Sequence, residues 1–91
     1  MIVTSQRSEF VTSTYKLQRL IERFCSGDDI SIEASNAIEA ALEEAFPSEE
    51  WAQDAVLTLA SYRPGGGEFL YDEEATKRQL TSVLGHIANR R

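Results

Sequence analysis

The sequence predicts an all-α fold: an antiparallel four-helix bundle forming one domain over residues 1–91, with a Pro-Gly-rich loop crossing before the last helix. Three observations predict it. Apolar residues recur at helical spacing in four separate stretches. Two of the breaks between them are tight corners and one is longer. No stretch alternates with period two for long enough to build a sheet. The hydrophobic fraction of 42% and charged fraction of 26% are those of an ordinary globule. A chain of this size should bury about 60 to 65% of its unfolded surface, enough for a core without a covalent staple.

The elements follow in order. Residues Met1 to Arg7 read as a loosely held lead-in, with Ser8 as an N-cap and Glu9 in the first turn. Phe10, Val11, Leu17, Leu20, Ile21, Phe24 and Cys25 then form the apolar side of a first helix, and Lys16, Arg19, Glu22 and Arg23 its polar side. Gly27 is placed to end it. These cations can face the acidic segment that follows, although exposed pairs of this kind contribute only about 0 to 1 kcal/mol each. Cys25 has no partner for a disulfide and reads as a buried structural thiol in a reducing, cytoplasmic setting.

A second helix is expected from near Ser31, with Ile30, Ala34, Ala37, Ile38, Ala41, Leu42 and Ala45 on one side. Pro47 disfavours helix at Phe46 and makes a corner. Ser48 is the expected cap of a third helix, with Glu49 and Glu50 beside its positive end and Trp51, Ala52, Ala55, Val56, Leu59 and Ala60 on its apolar side. The stretch Pro64-Gly65-Gly66-Gly67 is the one flexible connection. Phe69, Leu70 and Tyr71 are expected to fold back over the core, because exposing large apolar groups costs about 25 cal/mol per Å². The alternative is an exposed aromatic lip. Asp72 caps a fourth helix with Glu73 and Glu74 in its first turn. Ala75, Leu80, Val83, Leu84, Ile87 and Ala88 form its buried side, and Arg90 and Arg91 its C-terminal charge.

Charge is distributed unevenly along these elements. Of 15 acidic residues, all but Glu9 and Glu22 lie between Asp28 and Glu74, and that segment has one cation, Arg63, of the 9 in the chain. Segregation of sign does not build a fold; it creates a field that selects partners. A net charge of −6 disfavours nucleic acid and anionic membranes as direct partners and favours a basic protein surface. No apolar run approaches the length of a membrane span, and the N-terminus lacks the charged and apolar regions of a secretory leader.

The residues offer little to catalysis. His86 is the one histidine, and without a second there is no di-metal or zinc set, so no metal and no cofactor is expected. Glycines 65 to 67 lack the Lys-Ser/Thr and preceding strand of a phosphate loop, and the spacing of a calcium loop is absent. No acid, base and nucleophile constellation marks an enzyme. Part of the acid has a structural use at helix starts, but a crowded acidic surface lowers stability by self-repulsion. Solubility alone would be met by spreading the acids over all four helices. Tyr62, Tyr71 and Trp51 lie near the acids, and aromatics beside charges anchor interfaces.

The segments Leu57-Thr-Leu-Ala-Ser-Tyr62-Arg-Pro64, Tyr71-Asp72-Glu73-Glu74 and Leu80-Thr-Ser-Val-Leu84 resemble the second half of the colicin D immunity protein family. That family consists of small acidic helical bundles that block the basic cleft of an RNA-cleaving toxin. The resemblance implies the same role here. The acids that flank the proline in the family are replaced here by Arg63 and Gly65, so only Tyr71 and Asp72 to Glu74 carry over as interface.

The expected function is therefore an immunity protein that neutralises a basic toxin domain, a nuclease by the resemblance, through an acidic surface that mimics its substrate. The expected toxin-binding residues are Glu43, Glu44, Glu49, Glu50, Asp54, Tyr62, Glu68, Tyr71, Asp72, Glu73 and Glu74. The chain is expected to be a monomer or weak dimer with no direct nucleic-acid or membrane partner. The alternative is a small acidic interaction module, dimeric through spare apolar surface, whose charge serves solubility alone.

Overall fold

The computed structural model describes residues 2–68 and 70–89, with side chains for 14–68 and 70–88. Four helices form: α1 (Ile2–Cys25), α2 (Ile32–Ala45), α3 (Glu50–Ala60) and α4 (Glu73–Asn89). Each packs on two others, α1 and α3 both touching α2 and α4, so the four close a ring around one core. Short connections on either side of α2 make consecutive helices antiparallel. Among the described residues there is no strand, only two isolated bridges in the connection between α3 and α4. The expected all-α bundle is the fold.

The core is built from the apolar sides that the periodicity marks. Leu17, Ile21 and Phe24 of α1, Ile38 and Leu42 of α2, Ala52, Ala55 and Leu59 of α3, and Leu80, Val83 and Ile87 of α4 are all buried. Ser35 adds a polar link, its hydroxyl donating to the Leu59 carbonyl at 3.1 Å, and so ties α2 to the end of α3.

Helix ends follow local chemistry in three places. Gly27, at φ +88°, takes the left-handed conformation that ends α1, and the Gly27 and Asp29 amides bond back to Phe24 and Arg23. Ser31 caps α2, its hydroxyl accepting the Ala34 amide at 3.0 Å while donating to Asp29 at 2.7 Å. Asp72 caps α4 by accepting the Ala75 amide at 2.9 Å.

Three expectations are corrected. Residues 2–7 are helical, so Ser8 lies inside α1 rather than at its start; no glycine or proline interrupts the chain between Ile2 and Cys25. Ser48 is spent in the turn after Pro47, and Glu49 takes the N-cap of α3 without a side-chain cap bond. The expected start of α2 near Ser31 is where the helix begins, and Ile30, just before the cap, packs against the core. Leu70 and Tyr71 do not fold over the core; they are 38% and 46% exposed, the Tyr71 backbone being paired with Ser61 and Arg63 and the Leu70 amide with the Gly67 carbonyl. Phe69, Arg90 and Arg91, with the side chains of Glu9, Phe10 and Val11, lie outside the described residues.

Candidate functional site

The acidic segment folds into two separate places. Both the α1–α2 turn and the α3–α4 connection lie at one end of the bundle, joined by the Tyr62 hydroxyl, which donates to the Ile30 carbonyl. The Phe46-Pro47-Ser48-Glu49 corner lies at the other end, next to the last turns of α4, where His86 stacks on Trp51 at 4.8 Å. Eleven residues of α3 separate the ends, about 16 Å of helix. The expected site is therefore divided. Glu43, Glu44, Glu49, Glu50 and Asp54 belong to the α2–α3 corner; Tyr62, Glu68, Tyr71, Asp72, Glu73 and Glu74 belong to the opposite end.

At the connection end most of the expected residues have internal work. Tyr62 is a correction to the expected interface. It is 6% exposed, edge-on to Phe24 at 5.1 Å between ring centroids, and its hydroxyl is engaged, so it holds the core rather than offering a contact. Burial, with Glu73 and Asp72 nearby, pushes its phenol above the ordinary range. Asp72 is spent on its cap. Glu73 accepts the Gly65 amide at 2.9 Å; its own amide and that of Gly65 hold its carboxyl below the ordinary value. Arg63 accompanies these acids, its amide donating to the Tyr71 carbonyl, while the Tyr71 amide donates to Ser61. Glu68, Tyr71 and Glu74 remain exposed.

The corner end differs in charge. From Ile32 to Ala60 the chain has Glu33, Glu39, Glu43, Glu44, Glu49, Glu50 and Asp54 and no lysine, arginine or histidine. Glu49 accepts the Trp51 indole N–H at 3.1 Å, and Gln53 closes the corner by donating to the Pro47 carbonyl at 3.2 Å. Among the described residues no hydrogen bond or ion pair holds the side-chain carboxylates of Glu43, Glu44, Glu50 or Asp54, although the Asp54 carbonyl accepts the Thr58 hydroxyl at 3.3 Å. At about 100° per residue Glu43 shares the side of α2 that carries Leu42 and Phe46, whereas Glu44 turns away from it.

Between α2 and α3 the surface is indented by a groove of about 420 Å³ lined by Leu42, Glu43, Phe46, Pro47, Ala52, Gln53, Val56 and Leu57. Leu57 is 67% exposed. Sequence reasoning missed both groove and rim. The available signal was Leu57 itself, a large aliphatic residue off the apolar side of its helix, one turn after Gln53 and Asp54. Ile32, 46% exposed at the start of α2, is a second such residue.

Among the described residues no three His, Cys, Asp or Glu side chains are grouped to hold a metal ion. No helix among them is long and apolar enough to cross a membrane. Cys25 is half-buried, and burial pushes its thiol up; its sulfur lies 3.9 Å from the Lys77 carbonyl. No protein-family model, curated protein or solved structure matches the chain.

Proposed function

We propose that this protein is a non-enzymatic inhibitor, an immunity protein that binds a basic toxin domain and covers its active cleft. The observation that carries the reading is the segment of α2, α3 and the corner between them, seven carboxylates with no cation among them. Such a surface attracts a basic cleft at long range and repels nucleic acid, the substrate whose charge it copies. The exposed acids of the connection end, Glu68 and Glu74 beside Tyr71, form a secondary contact region, weakened by Arg63 and by the nearby Lys77. The resemblance of residues 57–64, 71–74 and 80–84 to the colicin D immunity family supports an RNA-cleaving nuclease as the toxin.

The test is coexpression with the product of the neighbouring gene, scoring survival and then measuring the dissociation constant of the complex at two salt concentrations. Survival that depends on this chain, with binding that weakens as salt rises, is the expected result. An absence of toxicity and of a complex would overturn the reading.

A second reading, a self-associating module, is favoured by one observation, the exposure of Leu57 and Ile32. It predicts a dimer at low protein concentration that persists regardless of salt.

A further inference from the structure

Resting on the reading of α2 and α3 as the partner-facing side, we propose that the groove between them seats one apolar side chain of a basic amphipathic helix supplied by the partner. The floor of the groove is Leu42, Phe46 and Ala52, all buried; Val56 is half-buried above it and Leu57 forms an exposed rim. The surround is acidic on both helices. Glu39 and Glu43 lie on the side of α2 that carries Leu42 and Phe46, and Glu50 and Asp54 precede Leu57 by seven and three positions on α3. An apolar seat lined by one carboxylate, Glu43, on two helices whose other charges are all acidic, is complementary to a leucine-like residue with lysine or arginine one turn to either side.

Charge also decides against the other occupants. A second copy of this chain, docked about a two-fold axis, would bring Glu43 and Asp54 against carboxylates of the same face, with no cation in either helical pair to relieve them. Nucleic acid is repelled by the same groups and has no apolar residue to place in the groove. A strand finds no edge here, because the backbone groups of α2 and α3 are used within the helices, whereas a helix laid in a groove needs only side-chain contacts. The area around Leu57 stays exposed in the free protein at a cost that scales with its apolar surface, which burial under a partner would recover.

The test uses a synthetic helical peptide of lysine and alanine with one central leucine, and the same peptide with serine in place of the leucine, titrated into the isotope-labelled protein by NMR. The leucine peptide is expected to bind about tenfold more tightly or better, the worth of one buried aliphatic side chain. It should shift the amides of Leu42, Phe46, Gln53 and Val56. Leu57→Ser should remove most of the difference between the peptides, and Glu43→Lys should weaken both. Equal binding by the two peptides, no binding by either, or shifts confined to residues 61–72 would overturn the proposal. A failed titration beside intact protection from the toxin removes the groove and leaves the inhibitor reading standing; groove binding without protection by this chain removes the toxin reading alone.

Discussion

Thr76 is fully buried in the first half of α4, and its hydroxyl has no hydrogen-bond partner among the described residues. A buried hydroxyl in that state is a net cost, which an apolar group of the same shape removes. Thr76→Val should stabilise the protein by about 1 kcal/mol, or roughly 4 to 8 °C in Tm for a domain of this size, measured by thermal unfolding. Glu73 and Asp29 each contribute to the response to acid. Both carboxyls are held below their ordinary values of 4.5 and 3.8, Glu73 by the amides of Glu73 and Gly65, Asp29 by the Ser31 hydroxyl and amide. Each therefore contributes stability that is fully present above its ordinary value and is lost as pH falls through the lower value of the folded state. Unfolding midpoints in urea from about pH 7 down to about pH 3 should decline, and Glu73→Gln should flatten the decline below pH 4.5. An unchanged slope in that variant would show that the Gly65 bond carries no pH-dependent stability.

At the scale of elements, the connection from Ser61 to Asp72 is a closed loop and not a slack linker. Its ends are pinned by the Arg63 and Tyr71 amides, its middle by the Gly66 amide on the Arg63 carbonyl, and its exit by Glu73 on Gly65. Gly66 stands at φ +76°, and a Cβ there would lie 3.1 Å from the Cβ of Asp72, the cap of α4. Gly66→Ala should therefore cost about 1 kcal/mol or more in chemical unfolding, through the loop and the cap together. Much of this level was legible in the sequence. Gly27, Ser31 and Asp72 declare helix ends because the chemistry is local to a few residues. The closed loop was not legible, because glycine spacing signals freedom, whereas the bonds that remove that freedom come from Ser61, Tyr71 and Glu73. Tyr62 was misread for the same reason: its partner, the Ile30 carbonyl, is 32 positions away.

For the whole molecule, segregation of charge along the sequence becomes segregation in space. In the ring of helices α1 and α4 are neighbours, and they carry Lys16, Arg19, Arg23, Lys77 and Arg78 mixed with Glu22, Glu73 and Glu74; the opposite pair, α2 and α3, carries carboxylates with no cation. Charge is thus distributed unevenly across the bundle, and under the proposed function such a field would orient a basic partner during approach. The sequence showed the excess of acid but assigned Glu43 and Glu74 to one surface. A continuous segment hides the length of α3, which sets them at opposite ends. Leu57 and the groove were hidden too, because a lone aliphatic residue on a polar side gains meaning only when a second helix lies beside it.

Partner recognition by the α2–α3 face, as proposed, is tested most directly by survival of cells that coexpress the product of the neighbouring gene with one of three forms of this chain: unchanged, Glu43→Lys with Asp54→Lys, or Glu68→Lys with Glu74→Lys. All four positions are exposed, so circular dichroism should show the fold retained in each. Protection by the unchanged chain and by the Glu68/Glu74 form, with loss in the Glu43/Asp54 form, is the result expected. Full protection by the Glu43/Asp54 form, or loss confined to the Glu68/Glu74 form, would contradict the claim and move recognition to the loop between α3 and α4.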